Sequence, residues 1–181
     1  MGRGFEPLRG HWNRRSKRAA VFFLDMLCDK KNWSIFATDN PKDMKEYIFE
    51  IEMKVRDYEC DLQCIVNNAN YQHYMEHARH EFLESAGANF GQLHLQGIDA
   101  MVSHAEIDYK VSLISGDRFI VRLNIAREGV KLVFFEDIYR LSDNRLCAKG
   151  RVESICVDHG RLTRGELFDE IFKNYLKKEE K

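Results

Sequence analysis

The chain has 181 residues, of which 44% are hydrophobic, and its 28 basic and 29 acidic residues nearly cancel. This length favours one domain with a substantial core, and the balanced charge gives no indication of nucleic acid or membrane-surface binding. No stretch approaches the ~18 apolar residues that a membrane span requires. The five cysteines are odd in number and less dense than in a secreted disulfide scaffold, so we expect a cytoplasmic protein.

The first 43 residues differ in pattern from the rest. Basic residues at 14–18 precede an apolar run at 19–24, which imitates a signal peptide, but Asp25 interrupts the run and no small-residue cleavage site follows. Met44 stands directly before the first regular pattern. We therefore expect residues 1–43 to be a disordered extension or a start-site artefact, and residues 44–181 to form the domain.

That domain opens with a strand, a polar loop and a long helix. Apolar and polar residues alternate from Tyr47 to Arg56, which predicts a half-buried strand. Apolar residues then recur at spacings of three and four, which predicts an amphipathic helix that begins near Asn68 to Asn70 and ends at Gly87. The helical stripe consists of Tyr71, Tyr74, Met75, Ala78, Phe82, Leu83 and Ala86.

Four more strands and a second helix complete the predicted order. Residues 90–97 are expected to be a loop or short turn, and the residues from 101 to 113 alternate, with Met101, Ser103 and Ile107 on one face. Strands near 119–125, 131–141 and 145–157 follow in meander-like succession, separated by turns at 115–117 and 142–144. Residues 163–178 are predicted to form an amphipathic helix. A single long helix after the first strand is best buried by an antiparallel sheet wrapped around it, an α+β arrangement.

Asp61 is the principal candidate for chemistry. It lies one short loop before the predicted helix start, where free N–H groups and the helix dipole favour developing negative charge. A carboxylate there can act as a nucleophile or as a general base on water. A loop-stabilising or capping Asp is an equally good interpretation on spacing alone.

Three segments match a known family in order and at fixed spacing. Residues 55–61 (VRDYECD), 66–71 (VNNANY) and 77–84 (HARHEFLE) resemble the catalytic segment of the 4-hydroxybenzoyl-CoA thioesterase family of hotdog-fold proteins. The resemblance is greatest to the branch that contains plant acyl-lipid thioesterases, and it covers roughly residues 45–160.

This resemblance implies a hotdog fold, assembled as a homodimer or homotetramer, that hydrolyses an acyl-CoA or acyl-acyl carrier protein thioester without a cofactor or metal. It assigns the catalytic carboxylate to Asp61 and the carbonyl-polarising backbone N–H to Asn68. Many bacterial members have His where this chain has Asn68, which leaves only the backbone role. Val66, Asn67 and Tyr71 are predicted to bind the substrate.

Two other functions remain open at this stage. One is a non-catalytic hotdog protein that binds acyl thioesters, for which the absence of His at position 68 is the best argument. The other is a hotdog dehydratase or hydratase, which is disfavoured because the loop-helix segment contains no suitable Asp-His pair. The sequence also lacks a Gly-x-Ser-x-Gly elbow and a Gly-rich phosphate loop.

Other reactive side chains have ordinary interpretations that we favour. His73 and His77 have zinc-compatible spacing but lie on the polar helix face, and Cys60 and Cys64 lack a second ligand pair. Glu81 matches only the general location of the catalytic carboxylate in some hotdog thioesterases. Three arginines in or beside one predicted strand suit coenzyme A phosphates and ordinary strand-edge charges equally well: Arg118, Arg122 and Arg127.

Overall fold

The computed structural model describes residues 47–176. The predictions for residues 1–43 and for a start at Met44 lie outside the described residues and stay predictions. The described chain contains a 3-10 turn at Asp57–Glu59 and three helices: α1 (Asn68–Ser85), α2 (Phe90–Leu95) and α3 (Glu166–Ile171). Its strands are β1 (Phe49–Lys54), β2 (Ile98–Tyr109), β3 (Arg118–Glu128), β4 (Lys131–Arg140), β5 (Arg145–Asp158) and β6 (Arg161–Leu162).

All strand pairs are antiparallel, in the order β1-β3-β4-β5-β2, with the short β6 paired to β5. Helix α1 lies against one face of this sheet, as its stripe of buried apolar residues predicts. A Cβ atom at Gly150 of β5 would lie 2.5 Å from Met75 Sδ, so glycine is needed for this close approach. The α+β arrangement of an antiparallel sheet around a central helix is confirmed.

The core has two apolar clusters along α1. The first contains Tyr71, Met75 and Ala78 from the N-terminal half of the helix, with Phe119, Val121, Ile138 and Ala148 from the sheet. The second contains Phe82 from the C-terminal half, with Leu123, Leu132, Phe134, Val152, Phe168 and Phe172. The C-terminal segment therefore covers the C-terminal end of α1, which is the end farthest from the loop that carries Asp61.

The predicted meander is wrong for β2. This strand pairs with β5 at one side of the sheet, while β3 pairs with β1 and β4. The connection from β2 to β3 crosses beneath the N-terminus of α1, where Leu113 is fully buried. The connection that crosses there buries this helix end. The alternation of residues along a strand does not indicate which strands pair with each other.

Two other local expectations are corrected. Residues 90–95 form α2 rather than a loop, because the Asn89 side chain caps the Gln92 N–H at 3.0 Å and Phe90 packs on the second core cluster. In β2 the register shifts between Val102 and His104, so the alternation of faces changes at Ser103 and Met101 does not share a face with Ile107.

The C-terminal helix is shorter than residues 163–178. It begins at Glu166, after Gly165 with a φ of 82°, and gives way to turns after Ile171. These turns place Phe172 and Tyr175 against the Phe82 ring, with centroid separations of 5.7 and 5.1 Å. Packing against the end of α1 therefore overrides the helical periodicity here.

Candidate active site

Backbone hydrogen bonds define the loop that carries Asp61. A single antiparallel bridge joins Cys60 to Val66 and closes the loop. Inside it, the Asp61 N–H donates to the Ile65 carbonyl at 2.9 Å, and the Cys64 N–H donates to the Asp61 carbonyl at 3.0 Å. Cys64 has a φ of 60°, which this tight reversal requires. The backbone at Asp61 is therefore held on both its N–H and its carbonyl side.

Only one of the two oxygens of the Asp61 carboxylate is hydrogen-bonded within the described residues. Its Oδ1 accepts a hydrogen bond from the Gln63 N–H at 2.7 Å, an Asx turn that fixes the side-chain direction. Its Oδ2 has no hydrogen-bond partner among residues 47–176. The side chain is thus compatible with both roles predicted from the sequence. One oxygen stabilises the loop, and the other is available for attack or for accepting a proton.

The N-terminus of α1 leaves one N–H group available beside this loop. Asn67 is the N-cap, and its Oδ1 accepts a hydrogen bond from the Ala69 N–H at 3.0 Å, while its carbonyl accepts one from the Asn70 N–H at 2.9 Å. The Asn68 N–H has no acceptor in the described part of the chain. This is the orphan donor that the first helical position normally leaves, at the positive end of the helix dipole. The predicted capping role of the asparagines is confirmed for Asn67.

The structure places Val66 and Tyr71 beneath the junction between loop and helix. Each is only 3% exposed, and both belong to the first core cluster. The Tyr71 hydroxyl accepts a hydrogen bond from the Leu113 N–H at 3.0 Å, and burial raises the pKa of Tyr71 to about 12. In this chain they support the site from below, and the substrate-binding roles assigned to Val66, Asn67 and Tyr71 stay predictions.

A buried glutamate connects the 3-10 turn to α1. Glu59 Oε2 accepts hydrogen bonds from the Arg56 N–H at 2.6 Å and from the Tyr74 hydroxyl at 2.8 Å. Burial, reinforced by the hydrogen bond to Glu59, raises the pKa of Tyr74, so this hydroxyl stays protonated. The Glu59 carbonyl also accepts from the Asn70 side chain and the Asn67 N–H, at 2.7 and 3.0 Å. These bonds fix the start of the helix relative to the turn that leads into the Asp61 loop.

An open groove of about 950 Å³ lies between the end of β1 and the N-terminal half of α1. Lys54, Glu59, His73 and His77 are among its lining residues, but neither Asp61 nor Asn68 is. Its fixed charges are mixed, because its carboxylates offset its lysine and arginine.

The alternative carboxylate and the histidine pair lie apart from the loop. Glu81 is thirteen residues beyond Asn68 in the same helix, which corresponds to about 20 Å along its axis. It is exposed and lies 3.9 Å from His77 Nδ1. Within residues 47–176, no group of three or more potential metal ligands comes together. In the same part of the chain, no helix is long and apolar enough to cross a membrane.

The cysteines and arginines weighed from the sequence have ordinary surroundings. Cys60 and Cys64 are half-buried free thiols, and burial raises the pKa of Cys60, which disfavours a thiolate nucleophile. The three arginines form ion pairs: Arg118 with Glu52 and Arg122 with Glu50 between β3 and β1, and Arg127 of β3 with Asp169 of α3. These contacts favour the interpretation of the arginines as structural charges.

The Tyr109 hydroxyl, which sequence reasoning did not identify, reaches the junction from the end of β2. It donates a hydrogen bond to the Asn68 carbonyl at 3.1 Å. The two residues are 41 positions apart, so only the tertiary arrangement of β2 and α1 reveals the contact. An aromatic residue at a strand end is otherwise common, and no sequence signal distinguishes this one.

Comparison with known proteins gives one family and several relatives. A family model described as the thioesterase-like superfamily matches residues 55–176. The chain is 37% identical over 123 residues to the chloroplastic acyl-acyl carrier protein thioesterase ATL3 of Arabidopsis thaliana, a match that covers 66% of this chain and 64% of the relative. It is 34% identical over 111 residues to ATL2 of the same plant, covering 61% and 59%. The chain thus spans less than two thirds of the length of these two relatives.

Solved structures share the fold. A hypothetical protein of Aquifex aeolicus superposes with a TM-score of 0.63 at 28% identity, covering 68% of this chain and 98% of that one. A 1,4-dihydroxy-2-naphthoyl-CoA thioesterase of Synechocystis superposes with a TM-score of 0.64 at 17% identity, covering 70% and 93%. The second likeness is evidence for the hotdog fold alone.

Proposed function

The chain belongs to the thioesterase-like superfamily, and from that premise we propose that it hydrolyses an acyl thioester to a free carboxylic acid and a thiol. One observation carries the proposal. Among residues 47–176, neither Asp61 Oδ2 nor the Asn68 N–H has a hydrogen-bond partner, and both groups lie on the short segment that runs from the Asp61 loop into the N-terminus of α1. An anionic group for the attack and a donor for the oxyanion are what acyl transfer from a thioester requires.

The Asn68 N–H and the helix dipole stabilise the negative charge that develops on the carbonyl oxygen during attack. In one route, Asp61 Oδ2 attacks the carbonyl carbon, the C–S bond breaks, and the thiolate leaves and takes a proton from solvent. Water then hydrolyses the resulting mixed anhydride. In the other route, Asp61 accepts a proton from a water molecule that attacks directly. Both routes consume one water and yield the same acid and thiol.

The proposed substrates are acyl chains on coenzyme A or on acyl carrier protein. The plant relative that is 37% identical is named as an acyl-acyl carrier protein thioesterase, and that name supports the carrier-protein form. Because the chain spans only 64% of that relative, substrate choice belongs to the proposal. A panel that includes both carriers tests it directly.

The deciding experiment measures thiol release by the full-length chain from acyl-CoA and acyl-carrier-protein thioesters of varied chain length. We expect turnover by the wild type and a loss of about 100-fold or more in Asp61→Asn, because the amide that replaces the carboxylate can neither attack nor accept the proton. The matched control is Asp57→Asn, since Asp57 lies in the preceding turn and its Oδ1 accepts a hydrogen bond from Tyr58 N–H at 3.0 Å, which an asparagine preserves. Near-normal turnover in Asp61→Asn would disprove the assignment.

The two routes differ in where isotopic oxygen appears. After many turnovers in ¹⁸O-labelled water, the anhydride route deposits label in the Asp61 carboxylate whenever water attacks its carbonyl, whereas direct attack by water leaves Asp61 unlabelled. Mass spectrometry of the peptide that contains Asp61 reads this out. If ¹⁸O appears in the Asp61 carboxylate but not in that of Asp57, the reaction follows the nucleophilic route.

The same proposal includes a homodimer built on the edge of β2. Among the described residues this twelve-residue strand pairs with β5 alone, so one row of its backbone N–H and carbonyl groups is unpaired. Apolar side chains are exposed along it: Met101 at 53%, Val102 at 56% and Tyr109 at 51%. A second copy related by two-fold symmetry would satisfy this edge. The hydrogen bond from Tyr109 to Asn68 supports a proposed arrangement in which the catalytic junction lies beside the seam, the interface between the two subunits.

A further inference from the structure

Tyr109 joins the edge strand to the residue that carries the proposed oxyanion donor. It is the last residue of β2, and its hydroxyl donates to the Asn68 carbonyl at 3.1 Å. Its ring packs edge-on against the Tyr71 ring, with a centroid separation of 5.4 Å and an interplanar angle of 78°. Half of the side chain stays exposed, so Tyr109 covers the helix start from the solvent side.

The chain that follows β2 holds the same junction from below. The Val66 N–H donates to the Leu113 carbonyl at 2.8 Å, and the Leu113 N–H donates to the Tyr71 hydroxyl at 3.0 Å. All three residues are buried. These bonds support the residues on either side of Asn68, and the Tyr109 side chain is the one side chain among residues 47–176 that hydrogen-bonds to Asn68 itself.

The orientation of the Asn68 N–H depends on its neighbouring peptide groups, because a first-turn N–H has no intrahelical acceptor to fix it. Asn67 holds the next N–H through its capping oxygen. Tyr109 holds the Asn68 carbonyl, which is the other end of the same residue. An oxyanion donor contributes to rate through preorganisation, so a small loss of alignment lowers turnover.

We propose that Tyr109 is a positioning residue, whose hydroxyl fixes the first turn of α1 so that the Asn68 N–H points at the substrate carbonyl oxygen. This inference rests on the proposed thioester hydrolysis. It assigns no proton transfer to Tyr109. It also makes the end of β2 part of the catalytic machinery, although the strand itself carries no reacting group.

The test compares Tyr109→Phe with Tyr58→Phe in the full-length chain. The first variant keeps the ring that packs on Tyr71 and removes only the hydroxyl. Tyr58 is 75% exposed, and its hydroxyl makes no hydrogen bond in the described part of the chain, so it is a matched control. With a thioester that the wild type turns over, we expect kcat to fall about three- to tenfold in Tyr109→Phe with KM unchanged, which matches the loss of one hydrogen bond. We expect no change in Tyr58→Phe.

A second measurement follows the Asn68 amide directly. In ¹⁵N-labelled protein, the Asn68 cross-peak should shift in Tyr109→Phe and stay in place in Tyr58→Phe. An unmoved cross-peak, an unchanged kcat, or a raised KM at constant kcat would each overturn the positioning role; the last would make Tyr109 a substrate contact. If the wild type releases no Asp61-dependent thiol, the proposed hydrolysis fails on its own, and the cross-peak still decides whether Tyr109 orients Asn68.

Discussion

Arg79 and Glu136 form an ion pair inside the core. Arg79 Nη1 lies 2.6 Å from Glu136 Oε2, and Glu136 is completely buried. The other carboxylate oxygen, Oε1, has no hydrogen-bond partner within the described residues. In sequence, the pair is flanked by Ala78 of the first core cluster and Phe134 of the second. A carboxylate in such apolar surroundings is strongly desolvated, and one guanidinium contact compensates for this only in part.

This burial predicts an unusual pH dependence of stability. Burial raises the pKa of Glu136 from its ordinary 4.5 to about 7, although Arg79 opposes the shift. The folded protein therefore binds a proton more tightly than the unfolded chain, so the contribution of Glu136 is fully present below about pH 4.5 and is lost as the pH rises through about 7. Relative to Glu136→Gln, the wild type should lose roughly 3 kcal/mol of unfolding free energy across this window.

Urea unfolding of both proteins from pH 4.5 to 8 measures that difference. Glu153→Gln is a useful control, because contacts with Lys131 and Arg151 lower the pKa of Glu153 to about 2. Its contribution is present above its ordinary value of 4.5 and is lost only as the pH falls toward 2. Parallel stability curves for wild type and Glu136→Gln between pH 4.5 and 8 would contradict the raised pKa.

Individual residues were predictable from the sequence where their partners are local. Asp61 and Asn68 are seven positions apart, on one loop and the helix start that follows it; capping chemistry predicts the helix start, and the resemblance to a known family pairs the two residues. Arg79 is not part of the apolar stripe predicted for the helix, and its spacing alone gives no indication that it is buried. Its partner Glu136 is 57 positions away on a strand, and alternation along that strand predicts an apolar residue there.

For the elements, the N-terminus of α1 gives a test of whether the cap matters for function as well as for stability. Asn67→Ala removes the acceptor for the Ala69 N–H and should lower the unfolding free energy by about 1 kcal/mol. Turnover should fall as well, since the Asn68 N–H lies in the turn that frays. Asn67→Ser should keep both, because a hydroxyl oxygen caps a helix about as well as an amide oxygen and adds no charge beside Asn68.

The matched control for this cap is Asn89→Ala at the start of α2. Asn89 accepts a hydrogen bond from the Gln92 N–H at 3.0 Å, the same capping chemistry at a helix away from Asp61. Thermal unfolding and thiol release are measured on both variants at a temperature where each is folded. Equal losses of turnover in Asn67→Ala and Asn89→Ala would mean that activity follows global stability and not the α1 cap.

Predictions for elements were reliable where one periodicity decides the structure. Helix α1 follows its three- and four-residue spacing closely, and Gly87, with a φ of 81°, lies just beyond its end. Strand β2 departs from simple alternation at Ser103, because a one-residue bulge reverses the faces without a clear signal in the sequence. Helix α3 stops early because the aromatic residues after it pack against Phe82.

For the whole molecule, composition and element order were enough to predict an antiparallel sheet around one helix, but not the sheet order. The connection between β2 and β3 crosses the N-terminus of α1 and covers it. As a result, β2 lies beside β5 and not beside β3. Only the folded arrangement reveals that β2, with its exposed Met101 and Val102, is an open edge of the sheet within residues 47–176. The dimer is implied by the resemblance alone, and the β2 edge is the location that we propose for it.

That location predicts that charge on the β2 edge separates the subunits. Light scattering should give the wild type a mass of twice the 21.3 kDa chain. The double variant Met101→Lys with Val102→Lys should be monomeric, because two lysines on each edge bring like charges together across the two-fold axis and lose apolar contact. Leu141→Lys is the control, since Leu141 is 39% exposed in the turn between β4 and β5.

The same variants connect assembly to catalysis. Because Tyr109 extends from the edge strand to Asn68, loss of the seam should lower thiol release in the β2 double variant even though Asp61 and Asn68 are unchanged. Leu141→Lys should keep both the dimeric mass and the wild-type rate. A wild type that scatters as a single 21.3 kDa chain, or a double variant that remains dimeric, would rule out β2 as the seam.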